Sequence, residues 1–560
     1  MAAAAENLPE QAAAAILGPN PFVGIDPARL LGETVRSAAR LASRPRPVAT
    51  EAARLVGELR QVLAGTSQLA PAEGDRRFAD VAWKENPIYR RLLQGYLATT
   101  DSARHLVKDA GLSRLDEERA QFLVTLVADA LAPTNALASN PAALKRAIDT
   151  GGLSLLRGAR NLVDDWRRNG GMPANVDRRP FQVGGNLAVT AGSVVHRDEV
   201  FELIQYRPAG ATVHERPLVV LPPQINKYYV LDLAPGRSFT EHAVAAGIPY
   251  FAVSWRNPGP DQRDWGLDRY VQAGLDAIEV AREVTGADAV NLMGICAGGV
   301  TLSALLGHLA AAGKAELVAS ATLAVAMLDM GAESLLGLFA SDAVIAAALR
   351  RSAAAGILDG AEMARVFAWM RPNDLVWSYW VNNYLLGNDP PAFDILAWNA
   401  DTTRLPARLH ADFLDLYLRN PLPQAGVLEV LSTPIDLRQV ECPTYVVAGM
   451  SDHIVPWRAS YLATRIFGGR PEFVLSSSGH IQSIVNPPGN PRASYFTSGE
   501  VDATPDQWLA SASRSQGSWW SHWAAWLVRQ SGERRQSPKR LGSRAHRSRG
   551  RAPGRYALEP

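Results

Sequence analysis

The sequence feature that most constrains the fold is the tight turn GICAGG at residues 294–299. The apolar run AVNLM precedes it and is typical of a buried strand, whereas VTLSALLGHLAAAG follows it and is typical of a helix. A nucleophile in such a turn has a strained backbone, and small residues two positions to either side, here Gly294 and Gly298, let strand and helix approach closely. The frame therefore predicts a nucleophile at Cys296, where serine usually stands.

The rest of the chain supplies the elements that this turn requires. Residues 1–185 have apolar side chains at three- and four-residue spacing and are predicted to be mostly helical. After the Gly/Pro/Asn-rich break at 169–177, short β-rich runs such as PLVVLPP and PYFAVSW appear, with longer helical stretches between the later ones. This alternation predicts a parallel α/β sheet with crossover helices. Together with the nucleophile turn, it predicts an α/β-hydrolase fold.

The sequence further predicts a cap and a tail. Residues 327–436 are rich in Trp, Tyr, Asn and Pro and lie between two predicted strands, which is typical of an insertion that caps an active site. We therefore expect a helical domain at 1–185, a catalytic domain at 186–530 that contains this cap, and a flexible tail at 531–560. Residues 534–555 carry nine Lys/Arg and no acid, so adhesion to an anionic surface is the alternative for the tail.

Charge, cysteine content and hydropathy limit the surroundings that we expect for this protein. Its 57 basic and 55 acidic residues give a formal charge of +2, so we expect no nucleic-acid partner. Two cysteines in 560 residues do not make a disulfide framework, and a reducing cytoplasm fits best. The Ala-rich start lacks the basic region of a secretory signal, and no apolar run reaches the ~18 residues of a membrane span.

A base and an acid for Cys296 are found at the ends of later predicted strands. Asp452 follows the strand in YVVAGMSDHIVPW, and His480 follows the strand in PEFVLSSSGHIQS. Their order after the nucleophile is the order of this fold, and strand ends of open α/β sheets form the site. His453 is a rival base and a candidate supporting residue, whereas Cys442 beside a proline is predicted to be a small packed side chain.

A nucleophile in this fold also needs an oxyanion hole. The backbone N–H of Ala297, directly after the nucleophile, is the first expected donor. The second is expected from the loop after the strand PLVVL, where Gln224 and Ile225 are the candidates and the prolines before them cannot donate.

At these residues the sequence resembles the polyhydroxyalkanoate synthases, from about Asn20 to Arg555. The similar blocks include NPAALKRAIDTGGLSLL, VLPPQINKYYVLDL, GICAGG, VFAWMRPNDLVWSYWVNNYLLG, PPAFDILAWNADTTRLP, SDHIVPW and SGHIQSIVNPPGNP. They most resemble the class II enzymes, which act alone and prefer medium-chain substrates. The resemblance implies Cys296 as nucleophile, Asp452 as acid and His480 as base. It also implies a homodimer on the surface of cytoplasmic polyester granules, with granule-coat proteins as further candidate partners.

The resemblance implies (R)-3-hydroxyacyl-CoA as substrate and CoA as product, with neither a cofactor nor a metal ion. Cys296 would move the acyl group from one thioester to another, so the group stays activated for attack by a hydroxyl. An acyl group held as a serine ester would be less activated, so its transfer to a hydroxyl would no longer be energetically downhill. Because bulk water competes with the hydroxyl, we expect the cap to exclude water from the acyl-enzyme.

Two other functions remain open from the residues alone. The first is a hydrolase on the same fold, such as a thioesterase or a polyester depolymerase, because the fold does not fix the reaction. The second is a non-catalytic protein of the granule coat that uses its basic tail and N-terminal helices to bind a surface. The cysteine, the cap and the long helical region favour acyl transfer.

Overall fold

A computed structural model describes residues 45–331, 342–370, 372–452, 454–469, 471–498 and 504–560. The chain divides into two compact units. One holds the described residues up to Asp177 and also Glu362–Phe393, and the other begins at Arg178 and holds most of what remains. The insertion predicted as a cap at 327–436 therefore does not form a unit of its own, since its parts belong to both units.

The described N-terminal part of the first unit, residues 45–177, is helical, as the sequence predicts, and the rest of the predicted helical region before residue 45 lies outside the described residues. Its N-terminal helices are α1 (Pro45–Ala64), α2 (Ala82–Glu85), α3 (Pro87–Asp109), α4 (Arg114–Ala130), α5 (Pro141–Asp149) and α6 (Leu153–Arg168). Three of them begin at side-chain caps, because Asn86, Ser113 and Asn140 accept hydrogen bonds from the first-turn N–H groups. Such a cap contributes about 1 kcal/mol to a helix.

Helix α6 packs closely on a π-helical segment, Trp380–Leu385, that belongs to the same unit. A Cβ at Gly158 would lie only 1.9 Å from the carbonyl oxygen of Tyr384, so only glycine allows this approach. The Asp165 carboxylate accepts a 2.8 Å hydrogen bond from the Tyr384 hydroxyl, and Asn161 donates to the carbonyl oxygen of Asn383. Residues 380–384 therefore fold as part of the helical unit.

The second unit is built on a ten-stranded sheet. Its strands, in spatial order, are β1 (Gly192–Arg197), β2 (Phe201–Tyr206), β5 (Tyr250–Trp255), β4 (Leu218–Leu221), β6 (Val290–Ile295), β7 (Val318–Ala324), β12 (Thr444–Gly449), β13 (Glu472–Ser476), β14 (Ser494–Thr497) and β15 (Ser513–Gln516). The pairs from β5 to β13 are parallel, and the outer pairs are antiparallel. Shorter two-stranded sheets pair β3 (Thr212–His214) with β16 (Arg534–Gln536), β8 (Ile357–Leu358) with β9 (Leu405–Pro406), and β10 (Glu429–Val430) with β11 (Thr433–Pro434).

The central strands are buried on both faces, which is why they read as continuous apolar runs. All residues of β5, β6 and β12 are buried. The helices that follow α6 along the chain are α7 (Phe239–Ala245), α8 (Leu267–Thr285), α9 (Ala297–Ala311), α10 (Asp342–Ala355), α11 (Gly360–Met370), α12 (Asp394–Asn399), α13 (Ala407–Arg419), α14 (Trp457–Leu462), α15 (His480–Ile484), α16 (Pro505–Ser511) and α17 (Trp519–Gln530). The predicted parallel α/β sheet with crossover helices is confirmed.

The segment predicted as a flexible basic tail packs against the sheet. β16 pairs with β3, and the backbone of Arg549 and Gly550 bonds to Val194 of the edge strand β1. Tyr556 is only 6% exposed, and its N–H donates to the buried Glu202 carboxylate at 3.0 Å. The prediction of flexibility was wrong, because most of the cations are exposed to solvent while backbone groups and a few side chains, such as Tyr556 and Arg535, make the contacts.

The turn between β6 and α9 has the strained geometry that its sequence predicts. Cys296 has φ 51° and ψ −121°, in the left-handed half of the map that side chains avoid. A Cβ at Gly298 would lie 2.3 Å from the Leu221 carbonyl oxygen, and one at Gly294 would lie 2.7 Å from the Gly298 carbonyl oxygen. Both neighbours are backbone atoms and cannot rotate away. The two glycines are therefore required by packing.

We expect Gly298→Ala to lower the free energy of unfolding by about 1–3 kcal/mol, the usual cost of overpacking. Chemical denaturation followed by tryptophan fluorescence measures this loss. Gly210→Ala is the matched control, because the nearest atom to its added Cβ is the Thr212 carbonyl oxygen at 3.6 Å. Equal unfolding midpoints for the two variants would contradict the packing argument.

Candidate active site

Cys296 stands at the junction of β6 and α9, at the N-terminus of the helix. Its N–H donates to the Ala324 carbonyl oxygen of β7 at 2.9 Å, and its own carbonyl oxygen accepts from Gly299 at 2.9 Å. These bonds hold the backbone on both sides of the sulfur. The residue is half-buried, and the partial positive charge of the helix N-terminus lies beside its side chain. This position suits a nucleophile that a substrate can reach.

Asp452 follows β12, and both of its carboxylate oxygens are hydrogen-bonded. Its Oδ1 accepts from the N–H groups of Ile454 and Val455, each at 2.9 Å, which fixes the carboxylate against its own loop. Its Oδ2 lies 2.6 Å from Nδ1 of His480. The side chain has no exposed surface, so this pair is protected from water.

His480 follows β13 and is the first residue of α15. Its ring lies between Asp452 and Cys296. Burial lowers the pKa of His480, but the Asp452 carboxylate and the Cys296 sulfur raise it more, to about 10. The contact with the carboxylate is the 2.6 Å hydrogen bond to Nδ1, and the raising effect of Cys296 indicates that its sulfur lies close to the ring. The imidazole can therefore hold a proton between the two groups.

The structure thus brings together three residues that are far apart in the sequence. Cys296, Asp452 and His480 come from the ends of β6, β12 and β13, at the carboxyl edge where parallel strands place their sites. His453, the rival base, lies outside the described residues. The roles of these residues in a reaction stay predictions at this point.

The two expected oxyanion donors lie on neighbouring segments. The loop after β4 touches the first turn of α9, because a Cβ at Gly298 would lie 2.6 Å from the Pro222 carbonyl oxygen. In the described part of the chain, the backbone N–H groups of Ala297 and Ile225 have no hydrogen-bond partner. Gln224 turns its side chain to helix α9, where its Nε2 donates to the Thr301 hydroxyl at 2.9 Å. That bond leaves its backbone N–H unused among the described residues, so Ile225 stays the predicted second donor and Gln224 stays the alternative.

Sequence reasoning missed the residues that fasten this loop. Thr403 donates from its hydroxyl to the Gln224 carbonyl oxygen at 2.7 Å and from its N–H to the Ile225 carbonyl oxygen at 3.3 Å. Lys227 is only 7% exposed and pairs with Asp401 at 3.0 Å. No spacing along the chain connects residues 224–227 with 401–403, so the sequence carried no signal for these contacts.

Cys442 differs from Cys296 in its chemistry. Burial raises the pKa of the Cys442 thiol to about 11, which keeps it protonated at neutral pH. Its carbonyl oxygen accepts a 3.0 Å hydrogen bond from the Thr444 hydroxyl at the start of β12. A thiol in this state is a poor nucleophile, so Cys442 serves as a control for Cys296.

The described part of the chain contains neither a cluster of possible metal ligands nor a membrane-spanning helix. Among these residues, no three or more His, Cys, Asp or Glu side chains gather in a way that could hold a metal ion. None of their helices combines the length and the apolar character that crossing a bilayer requires. The expectation that the reaction needs no cofactor stays a prediction.

Comparison with known proteins identifies the family and the fold of this chain. Residues 74–243 match the family described as the poly-beta-hydroxybutyrate polymerase N-terminus, and residues 217–487 match the alpha/beta hydrolase fold, which confirms the predicted fold. Poly(3-hydroxyalkanoate) polymerase 1 of Ectopseudomonas oleovorans is 48% identical over 99% of both chains. Polymerase 2 of that organism is 50% identical over 95% of both chains. A poly(3-hydroxyalkanoate) polymerase subunit of Cupriavidus necator is 41% identical over 86% of this chain and 82% of its own. The chain therefore belongs to the poly(3-hydroxyalkanoate) polymerase family.

Proposed function

We propose that this enzyme joins (R)-3-hydroxyacyl groups from CoA thioesters into a polyester and releases CoA, with Cys296 as the covalent carrier. Membership of the polymerase family supports the overall reaction. The observation that carries the mechanism is the His480 imidazole, which lies between the buried Asp452 carboxylate and the Cys296 sulfur. This arrangement has the parts of a nucleophile, a base and an orienting acid.

The first step moves the acyl group onto the protein. His480 holds the proton taken from the Cys296 thiol as an imidazolium, and the thiolate sulfur attacks the carbonyl carbon of the CoA thioester. The new carbon–sulfur bond forms as the bond to the CoA sulfur breaks. The departing CoA thiolate takes the proton from His480, so the step balances and leaves a neutral imidazole. Asp452 stabilises the imidazolium that exists between these events.

The second step moves the acyl group onto an oxygen. His480 takes the proton of an incoming hydroxyl, which attacks the Cys296 thioester. An oxygen ester forms, the carbon–sulfur bond of the acyl-enzyme breaks, and His480 keeps the proton, which restores the imidazolium beside the Cys296 thiolate. A thioester is a more activated acyl donor than an oxygen ester, so this transfer runs downhill. Repetition with further units lengthens the polyester.

Each step passes through a tetrahedral intermediate with a negative oxygen. The free N–H groups of Ala297 and Ile225 are the donors that we assign to this oxyanion. A donor in such a hole contributes about 10²–10³-fold to the rate. Because the same carbonyl carbon reacts in both steps, one pair of donors serves the whole cycle.

The finer features of the proposal come from the resemblance described above. We propose medium-chain (R)-3-hydroxyacyl-CoA as the preferred substrate, a homodimer as the active form, and the surface of cytoplasmic polyester granules as the location. Exclusion of water by the predicted cap at 327–436 would separate this enzyme from a hydrolase.

Replacement of Cys296 tests the covalent mechanism. With a medium-chain (R)-3-hydroxyacyl-CoA, Cys296→Ala is expected to lower the rate of CoA release by about 10⁴-fold or more, because no nucleophile remains. The measurement follows free CoA and insoluble polymer over time. Cys442→Ala is the matched control and is expected to keep the wild-type rate, since that thiol stays protonated.

The products distinguish the alternatives. Free hydroxy acid without polymer from the wild-type protein would contradict the polymerase and support a thioesterase or depolymerase. Undiminished CoA release by Cys296→Ala would contradict the covalent role of this sulfur. A protein that releases no CoA and still coats polyester granules as Cys296→Ala would belong to the non-catalytic coat.

The raised pKa of His480 also links stability to pH. The pKa is about 10 in the folded chain, compared with the usual 6.5. The protonated ring therefore stabilises the fold fully below about pH 6.5, and this contribution is lost as the pH rises toward 10. Asp452 is the main group that raises the pKa, so its carboxylate is needed for the effect.

Asp452→Asn is expected to cost the most stability near pH 6 and progressively less toward pH 10. Urea unfolding midpoints of wild type and variant across this range measure the difference. Asp506→Asn removes an exposed carboxylate paired with Arg458 and is expected to show no such trend. A constant difference between wild type and Asp452→Asn over the whole range would contradict the assignment of the proton to His480.

A further inference from the structure

Residues 556–560, which we call the strap, fold back into the second unit. Tyr556 is 6% exposed and Ala557 is 2% exposed. The Tyr556 N–H donates to the Glu202 carboxylate, and the Tyr556 hydroxyl donates to the carbonyl oxygen of Asp198. Glu202 has a fully buried side chain in β2, so the strap is anchored on the central sheet.

The strap holds a buried lysine. Nζ of Lys227 donates to the carbonyl oxygen of Ala557 at 3.0 Å and to that of Glu559 at 2.7 Å. It also pairs with Oδ1 of Asp401 at 3.0 Å. An ammonium group has three donors, so these three acceptors saturate it. Two of the three acceptors belong to the strap, and Asp401 supplies the opposite charge.

Lys227 belongs to the loop that carries the candidate oxyanion donor Ile225. Toward its start, this loop is fixed by the bond from Gln224 to Thr301 of helix α9. Farther along, the strap holds the Lys227 side chain, and Trp398 donates to the Lys227 carbonyl oxygen at 2.7 Å. Ile225 lies between these two attachments.

A second contact ties the strap to the segment that lies against the same loop. Asn257 donates from Nδ2 to the carbonyl oxygen of Pro560 at 2.7 Å, and its Oδ1 accepts from the N–H of Arg404 at 2.9 Å. Arg404 follows Thr403, which bonds to the carbonyl oxygens of Gln224 and Ile225. The strap therefore reaches the loop by two routes.

We propose that the strap, acting through Lys227, positions the Ile225 N–H for the oxyanion of the acyl transfer. This inference rests on the proposed function. Lys227 is a positioning residue, because its ammonium group is used up by the strap and by Asp401. The strap contributes backbone carbonyl groups, so the path of its chain matters and its exposed side chains do not.

Two variants disturb this contact from opposite sides. Lys227→Met keeps most of the length of the side chain and removes its donors, and deletion of residues 557–560 removes both strap acceptors. Leu558→Ala is the matched control, because Leu558 is 58% exposed and the change leaves every backbone carbonyl in place. All variants carry Cys442→Ala, so that Cys296 is the thiol that reacts in labelling experiments.

The expected result is a loss of kcat without a matching change in KM. Lys227→Met and the deletion are expected to lower kcat for CoA release by about 10–100-fold, the size of effect that a misplaced group produces. Alkylation of Cys296 by iodoacetamide needs no oxyanion hole, so its rate is expected to stay within about twofold of wild type. Leu558→Ala is expected to match wild type in both measurements.

Release of p-nitrophenolate from p-nitrophenyl acetate separates this inference from the proposed function. That reaction also forms an oxyanion on Cys296, so the strap variants are expected to lose it whether or not CoA thioesters are substrates. Wild-type rates in both strap variants would overturn the inference. An equal loss of alkylation and acyl transfer would also overturn it, since the strap would then support the fold as a whole. Absence of CoA release from wild type would refute the proposed function alone.

Discussion

The hydrogen bond between the Asp452 carboxylate and the His480 imidazole is the interaction on which the site depends. At 2.6 Å, with no exposed surface on the carboxylate, it fixes the direction of the ring and stabilises its charge. The two N–H groups that bond to the other carboxylate oxygen keep Asp452 from rotating away. The imidazole can then face the Cys296 sulfur. Without this pair, the sulfur would stand in a strained turn with no partner for its proton.

The sheet converts this local bond into a site. β6, β12 and β13 end at one edge, so the three residues that follow them meet although they are far apart along the chain. Gly294 and Gly298 let helix α9 start directly above the sheet, and the loop after β4 then lies against the first helical turn. Close packing of backbone on backbone therefore brings the loop of Ile225 to the helical turn of Ala297, the two proposed oxyanion donors. The side chains of the site are held on this backbone framework.

The parts of the site that could be predicted are those whose signal is local. The sequence around Cys296 contains a predicted strand, two closely spaced glycines and a predicted helix. Asp452 and His480 each follow a strand that the sequence predicts. Lys227 and Thr403 gave no signal, because most of their partners are backbone carbonyl groups, which every residue possesses. The tail was predicted to be flexible from its side-chain charge, yet its backbone pairs with β1 and β3. The cap prediction assumed one insertion, whereas residues 362–393 fold with the helical unit.

The use of sulfur as the proposed acyl carrier and the fixed position of the loop after β4 both affect the competition between a hydroxyl and water. A thioester intermediate makes transfer to a hydroxyl favourable, but it equally favours attack by water. The polyester therefore forms only if attack by the hydroxyl is faster than attack by water. In the proposed mechanism, the donors at Ala297 and Ile225 accelerate the attack on the carrier thioester as well as its formation, because the same carbonyl carbon reacts both times. A loop that drifted by a fraction of an ångström would slow both steps and lengthen the life of an activated acyl group. Thr301 of helix α9 holds the loop at one end, and the strap holds it at the other end through Lys227. These two attachments limit such a displacement of the loop.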